Sequence, residues 1–179
     1  MTPIEMVRKR EEEIWCNRFE SAFAVDETGN VLLDKSGEQY RIDFAHEEVE
    51  RLRVGRGVVF THNHPRGWEY PITSLLRAGS SFSDADVEFA CRVELIEMRV
   101  VTPTRCYFLR PAISGWNRNY WEDVLKPVYT RCEAEIKRQF RLCVLRRQMS
   151  WEEAGAEEMH EIWSRVAAEL GLTYAREQE

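Results

Sequence analysis

The chain has 179 residues, 44% of them hydrophobic and 31% charged, with 25 Lys and Arg against 31 Asp and Glu for a formal net charge of −6. That length suits one compact domain with room for a small appended element. The acidic balance disfavours a protein that coats nucleic acid, and no apolar run approaches the ~18–20 residues of a membrane helix. The opening segment has no apolar core of signal-peptide type. Five cysteines, Cys16, Cys91, Cys106, Cys132 and Cys143, form no CxxC pair and read as reduced thiols rather than a disulfide framework. The expectation is a soluble, cytoplasmic globular protein.

In chain order, Ser21–Val25, the turn-forming Asp26-Glu27-Thr28-Gly29-Asn30 and Val31–Leu33 predict a strand, a turn and a returning strand. Gln39–Phe44 alternates like a half-buried strand, and His46–Arg53 predicts a short helix. Gly57–His64 is β-branched and aromatic and predicts a strand that ends in histidines. Pro and Gly then cluster between Gly55 and Gly79, and long connections of that kind are often functional. Val87, Ala90, Cys91, Leu95 and Met98 predict a helix over 83–97, followed by strands at Met98–Thr102 and Arg105–Leu109.

From about Trp116 the apolar period is helical. Trp121, Leu125, Val128, Cys132, Ile136, Phe140 and Cys143 step by three or four, with Pro127 marking a start or a kink. Ser150 with Glu153 predicts a capping box, and Gly171 a stop. Residues 116–148 are net basic and 150–179 net acidic, which suits an antiparallel hairpin whose charges pair, Arg138, Arg141, Arg146 and Arg147 with the acidic last helix. Trp116, Trp121, Trp151 and Trp163 are expected to anchor its packing, and His46 and His160 to lie at the surface. The fold class is therefore α+β: a mixed sheet flanked by helices Ala45–Arg53 and Asp84–Glu97, over 1–115, with a C-terminal helical hairpin over 116–179.

The stretch Thr61-His62-Asn63-His64-Pro65 carries the chemistry. Side chains alternate along a strand, so His62 and His64 project to one face, together with Phe60 and Val58. Two imidazoles at a strand end can share one metal ion, although a pair of surface histidines before a proline is the plain alternative. Downstream, Ser83 and Asp86 have the spacing of a helix N-cap and its first turn. The same pair can supply a third, oxygen ligand from Asp86 and a hydroxyl from Ser83 aimed at a reacting oxygen. Ser81 with Asp84 satisfies the same spacing. Two histidines and one carboxylate leave a zinc ion its fourth position for water.

Taken together, His62-x-His64-Pro65, Ser83-x-x-Asp86 and an acidic residue on an early strand resemble the JAB/MPN (JAMM) metalloprotease domain, most closely its bacterial and phage-associated branch. The likeness spans roughly residues 17–112 and implies a cytidine-deaminase-like layering. It also implies a Zn2+ ion held by His62, His64 and Asp86, a Glu acting on the zinc-bound water, and Ser83 stabilising a tetrahedral intermediate. The Glu is then Glu20, beside small Ala22 and Ala24 on its strand, or Glu38. The implied activity is hydrolysis of peptide or isopeptide bonds in a polypeptide substrate. A metal-bearing peptide-binding module and a metal-dependent nuclease are the competing classes. One departure stands out: eighteen residues, 65–82, separate His64 from Ser83, longer than the family's connection. Their Trp68 and Tyr70 suggest either a substrate-contacting flap or an ordinary surface insertion.

Overall fold

The structure is a computed structural model that describes residues 1–117 and 119–177. Arg118, Gln178 and Glu179, which fall in the expected C-terminal helical region, lie outside the described residues. Helix α1 (Pro3–Ile14) opens with a capping box between Thr2 and Glu5 and a proline in its first turn. Then follow β1 (Ser21–Val25), β2 (Val31–Ser36), α2 (His46–Val54), β3 (Val59–Asn63), α3 (Asp84–Arg92), β4 (Glu97–Val101) and β5 (Cys106–Arg110). Helices α4 (Lys126–Leu145) and α5 (Trp151–Leu170) pack on each other, and β6 (Thr173–Glu177) closes the chain.

The result is α+β, with a six-stranded mixed sheet in the order β2-β1-β3-β4-β5-β6. The β3–β4 pair is parallel and the other pairs are antiparallel. Parallel neighbours need a crossover, and α3 supplies it, so the N-terminus of α3 returns to the carboxyl end of β3. Helix α1 covers one face, where Val7 meets Phe23, Val25 and Val59. The opposite face builds the larger core, in which Phe60, Met98, Val100 and Leu109 of the sheet join Leu52, Val87, Ala90, Ile136, Ile162 and Trp163 of the helices. No helix among the described residues is long and apolar enough to cross a membrane.

Several expectations need correction. Gln39–Phe44 is not a strand: one isolated bridge joins Glu38 to Arg41, and the segment leaves the sheet. Its alternation has another cause, because Phe44 stacks on Phe89 of α3 with ring centroids 4.9 Å apart. Helix α3 stops at Arg92 rather than Glu97, and Glu94 turns the chain with φ of 57°. Leu95 and Met98 are buried as predicted, but from a turn and a strand. Helix α1 and strand β6 are additions to the expected fold, the first marked in the sequence by its Thr2–Glu5 capping box. Both are fastened by Arg99, which is 1% exposed and bonds Glu11 of α1 at 2.8 Å, Glu97 at 2.9 Å and Glu177 of β6 at 2.6 Å.

In the C-terminal region Pro127 lies in the first turn of α4, directly after a π-helical turn at Trp121–Leu125. Helix α5 has the expected capping box and ends at Gly171, whose φ of 67° suits a residue without a side chain. The expected charge pairing between the helices is realised by Arg131 with Glu169. Arg138, Arg141, Arg146 and Arg147 are instead exposed, with no carboxylate partner among the described residues. Trp116, Trp121 and Trp163 are buried anchors, whereas Trp151 is 65% exposed. His46 is exposed, but His160 is half-buried and its Nδ1 lies 3.0 Å from the Tyr174 hydroxyl.

Candidate metal centre

Strand β3 sets the two histidines. His62 lies opposite Ala22 of β1 and beside Val100 of β4, so small and aliphatic neighbours leave its ring room on the core face. Asn63 points the other way and acts as a clamp: its Oδ1 accepts the Ser21 amide at 2.6 Å and its Nδ2 donates to the Phe19 carbonyl at 3.1 Å. That clamp fixes the backbone on either side of Glu20. Alternation along the strand could have shown Asn63 to be inward on the far face; no motif did.

Ser83 caps α3, and the full capping box is present. Its hydroxyl accepts the Asp86 amide at 3.2 Å, and Asp86 Oδ2 accepts both the Ser83 amide at 2.7 Å and the Ser83 hydroxyl at 2.8 Å. Local capping therefore turns the Asp86 carboxylate toward β3. His62 Nε2 lies 3.3 Å from Asp86 Oδ1, His64 Nε2 lies 3.4 Å from Oδ2, and the two Nε2 atoms are 3.0 Å apart. One ligand atom from each residue falls within 4.8 Å of the others. Asp84 in the alternative register is exposed and, among the described residues, accepts only its neighbour's amide, at Ala85. Ser81 is buried and bonds the Tyr174 hydroxyl at 2.9 Å.

Charge fits this arrangement. Burial works against ionisation of Asp86, but the two imidazoles outweigh it and hold the carboxyl well below its usual range. Burial likewise pulls His64 down, yet its bond to Asp86 leaves it above the ordinary value. Glu20 lines the same cleft, and burial raises its carboxyl despite the opposing pull of His62 and His64. Glu38 is exposed and contributes its backbone carbonyl to the Glu20 amide at 2.9 Å.

The donor set suits a small divalent cation. Tetrahedral zinc with Zn–N and Zn–O bonds of about 2.0–2.1 Å has ligand edges of about 3.3–3.4 Å, close to the separations found here. His64 Nδ1 also has the outer partner that metal-binding histidines need, the Ser80 carbonyl at 3.1 Å. His62 departs from that rule, since its Nδ1 is buried with no hydrogen-bond partner. That buried, unsatisfied nitrogen costs the fold about 1–3 kcal/mol.

Two clefts meet at the cluster. An inner chamber of about 220 Å³ has Ile42, Phe44, Phe60, Phe89 and Met98 in its wall, and the exposed Arg92 also lines it. An outer, more polar cleft of about 370 Å³ is lined by Tyr40, Arg41, His64, Arg66 and Ser83. Glu20, Ile42, Ala85 and Asp86 belong to both. The insertion 65–82 is a docked element with two 3-10 turns, Pro65–Glu69 and Leu75–Ala78. A side chain on Gly67 would put its Cβ 2.5 Å from the Arg77 carbonyl oxygen. Trp68 lies against Trp15, with the Arg18 and Arg77 guanidinium carbons 4.9 and 4.6 Å from its ring centroid. The C-terminal elements hold the segment leading into α3, Trp163 Nε1 donating to the Phe82 carbonyl at 2.7 Å. Ser80 and Tyr174, which brace the site from outside, carried no sequence signal.

Comparison with protein families, curated proteins and solved structures found no match to this chain.

Proposed function

We propose that the protein is a zinc-dependent peptidase or isopeptidase of JAMM type. The observation that carries this reading is the approach of His62, His64 and Asp86 within 4.8 Å, in a cleft that Glu20 also lines. His62, His64 and Asp86 would hold the ion; zinc bound there would supply Lewis acidity, bringing the pKa of a coordinated water to ~7 and polarising a carbonyl oxygen.

The chain's own groups do the rest. Glu20, raised by its partial burial, accepts a proton from the attacking water and later delivers it to the departing amine. The peptide C–N bond breaks, a C–O bond forms, and no redox partner is required. Ser83 holds Asp86 toward the histidines through its hydroxyl and amide. A rotation of that hydroxyl away from Asp86 would offer a hydrogen bond to the oxyanion.

A second reading, a metal-bearing peptide-binding module, draws on the commitment of the Ser83 hydroxyl to Asp86 and the unpartnered His62 Nδ1. Cleavage of dye-labelled casein by zinc-loaded parent and Glu20→Gln proteins separates the two. The hydrolase reading expects chelator-sensitive cleavage by the parent, lost in the variant while zinc is retained. Equal signals from both proteins would reject it.

A further inference from the structure

We propose that the inner chamber beside His62 receives one large apolar side chain of the polypeptide, aromatic or branched aliphatic, on a residue flanking the bond to be cut. The proposal rests on the hydrolase reading and names the substrate class for that same site.

Size is the first argument. An enclosed cavity of about 150 Å³ lined by aliphatic and aromatic groups holds a benzene ring, and this partly open chamber has about 220 Å³. Its position is the second. The chamber shares Glu20 and Asp86 with the outer cleft that contains His64, so an extended peptide in the outer cleft can turn one side chain inward. Because neighbouring side chains of an extended peptide point to opposite sides, one chamber reads one residue.

Its lining is the third argument. Phe44 and Phe89 stack, and Phe60 meets Phe89 with ring centroids 5.4 Å apart, so three packed rings form much of the wall that Ile42 and Met98 complete. An aromatic guest gains further ring contacts there. The Arg92 guanidinium, also in the lining, lies over the Phe89 ring, 5.5 Å from its centroid, with no carboxylate partner among the described residues. A Lys or Arg guest would shed its water against the same rings and face Arg92, which opposes the attraction of Glu20 and Asp86. A Glu or Asp guest would shed its water against phenylalanine rings and approach Asp86 and Glu20. Glycine would leave the chamber unfilled, so a Gly-Gly tail is a poor occupant.

The test uses fluorogenic peptides of one length in which the residue on each side of the scissile bond is Phe, Leu, Gly, Lys or Glu. With zinc-loaded protein, the expected result is a kcat/KM for Phe or Leu at one of those positions at least about tenfold above Gly, with Lys below Gly. Ile42→Trp, which fills the chamber from the irregular segment, should collapse the Phe-to-Gly ratio toward one. Arg92→Ala should raise the Lys peptide relative to Gly. Circular dichroism confirms that the variants fold, and Ile42→Ala serves as a second probe, shifting preference toward larger rings. Equal kcat/KM for Phe and Gly in the parent would overturn the proposal, as would an unchanged ratio in Ile42→Trp. Calorimetric titration of zinc-loaded Glu20→Gln with the same peptides separates the two ideas. Tighter binding of Phe than Gly peptides with no cleavage by the parent would leave the chamber assignment standing and remove the hydrolase. Equal binding would remove the chamber assignment.

Discussion

Asp86 Oδ1 stands 3.3 Å from His62 Nε2, and the same carboxylate closes the N-terminal cap of α3 through Ser83. One side chain thus serves helix geometry and the candidate centre at once. Removing the cap should disturb both. Ser83→Ala is expected to cost ~1 kcal/mol of stability in urea denaturation and to weaken zinc binding severalfold, because the Asp86 carboxylate loses its bond to the hydroxyl and the Asp86 amide loses its cap. Ser83→Thr keeps an accepting hydroxyl and should recover most of each. Unchanged zinc affinity in Ser83→Ala would show that Asp86 is aimed by other contacts.

Glu20 provides the acid limb of the expected pH profile. Burial first, then nearby Asp86, holds its carboxyl above the ordinary value of 4.5, against the pull of His62 and His64. A base must be deprotonated, so kcat/KM should fall as pH drops through that raised value. Glu20→Gln should lower turnover by about 10²–10⁴-fold at an unchanged zinc content. A pH-independent rate below neutrality would argue against Glu20 as the base.

How much of this was legible in the chain follows from the range of the forces involved. Period-two alternation put His62 and His64 on one face because strand geometry is local. Ser83 and Asp86 followed from capping chemistry, equally local. Gln39–Phe44 misled because burial over a cleft yields the same alternation as burial in a sheet. The apolar spacing predicts too long a helix α3 because Leu95 and Met98 keep helical spacing while entering the core from a turn and a strand. Strand β6 has no local signal of its pairing, because its partner, β5, is remote in sequence. The partners of Arg99 are remote too: Glu11 and Glu177 come from opposite ends of the chain.

Arg99 is where stability should be most sensitive. Its guanidinium meets Glu11, Glu97 and Glu177 in a buried network. Arg99→Met should cost about 3–5 kcal/mol, since it strands buried carboxylates without their cation. Burial opposes ionisation of Glu177, but Arg99 and then Arg8 hold its carboxyl below the ordinary 4.5. A depressed folded-state value stabilises above the unfolded value and is lost as pH falls through the folded one. The parent should therefore lose part of its stability below about pH 4.5, and Arg99→Met should lose less over the same interval. Urea titrations at pH 7 and pH 4 measure both; a parallel loss in the two proteins would contradict the assignment.

The thiols should separate by burial. Burial pushes Cys91 and Cys106 up to about 12, whereas Cys16 is exposed. Iodoacetamide at pH 8 should label Cys16 rapidly and leave Cys91 and Cys106 unmodified until denaturant is added. Peptide mass mapping reads the order, and early labelling of Cys106 would show that the Arg99 layer opens readily.

Metal content tests the central claim most directly. Purified protein dialysed against zinc and then against buffer should retain one zinc per chain, measured by plasma mass spectrometry. His62→Ala and Asp86→Ala should each retain none while keeping the parent's circular dichroism. A folded parent that holds no zinc, or folded variants that hold as much as the parent, would contradict the account.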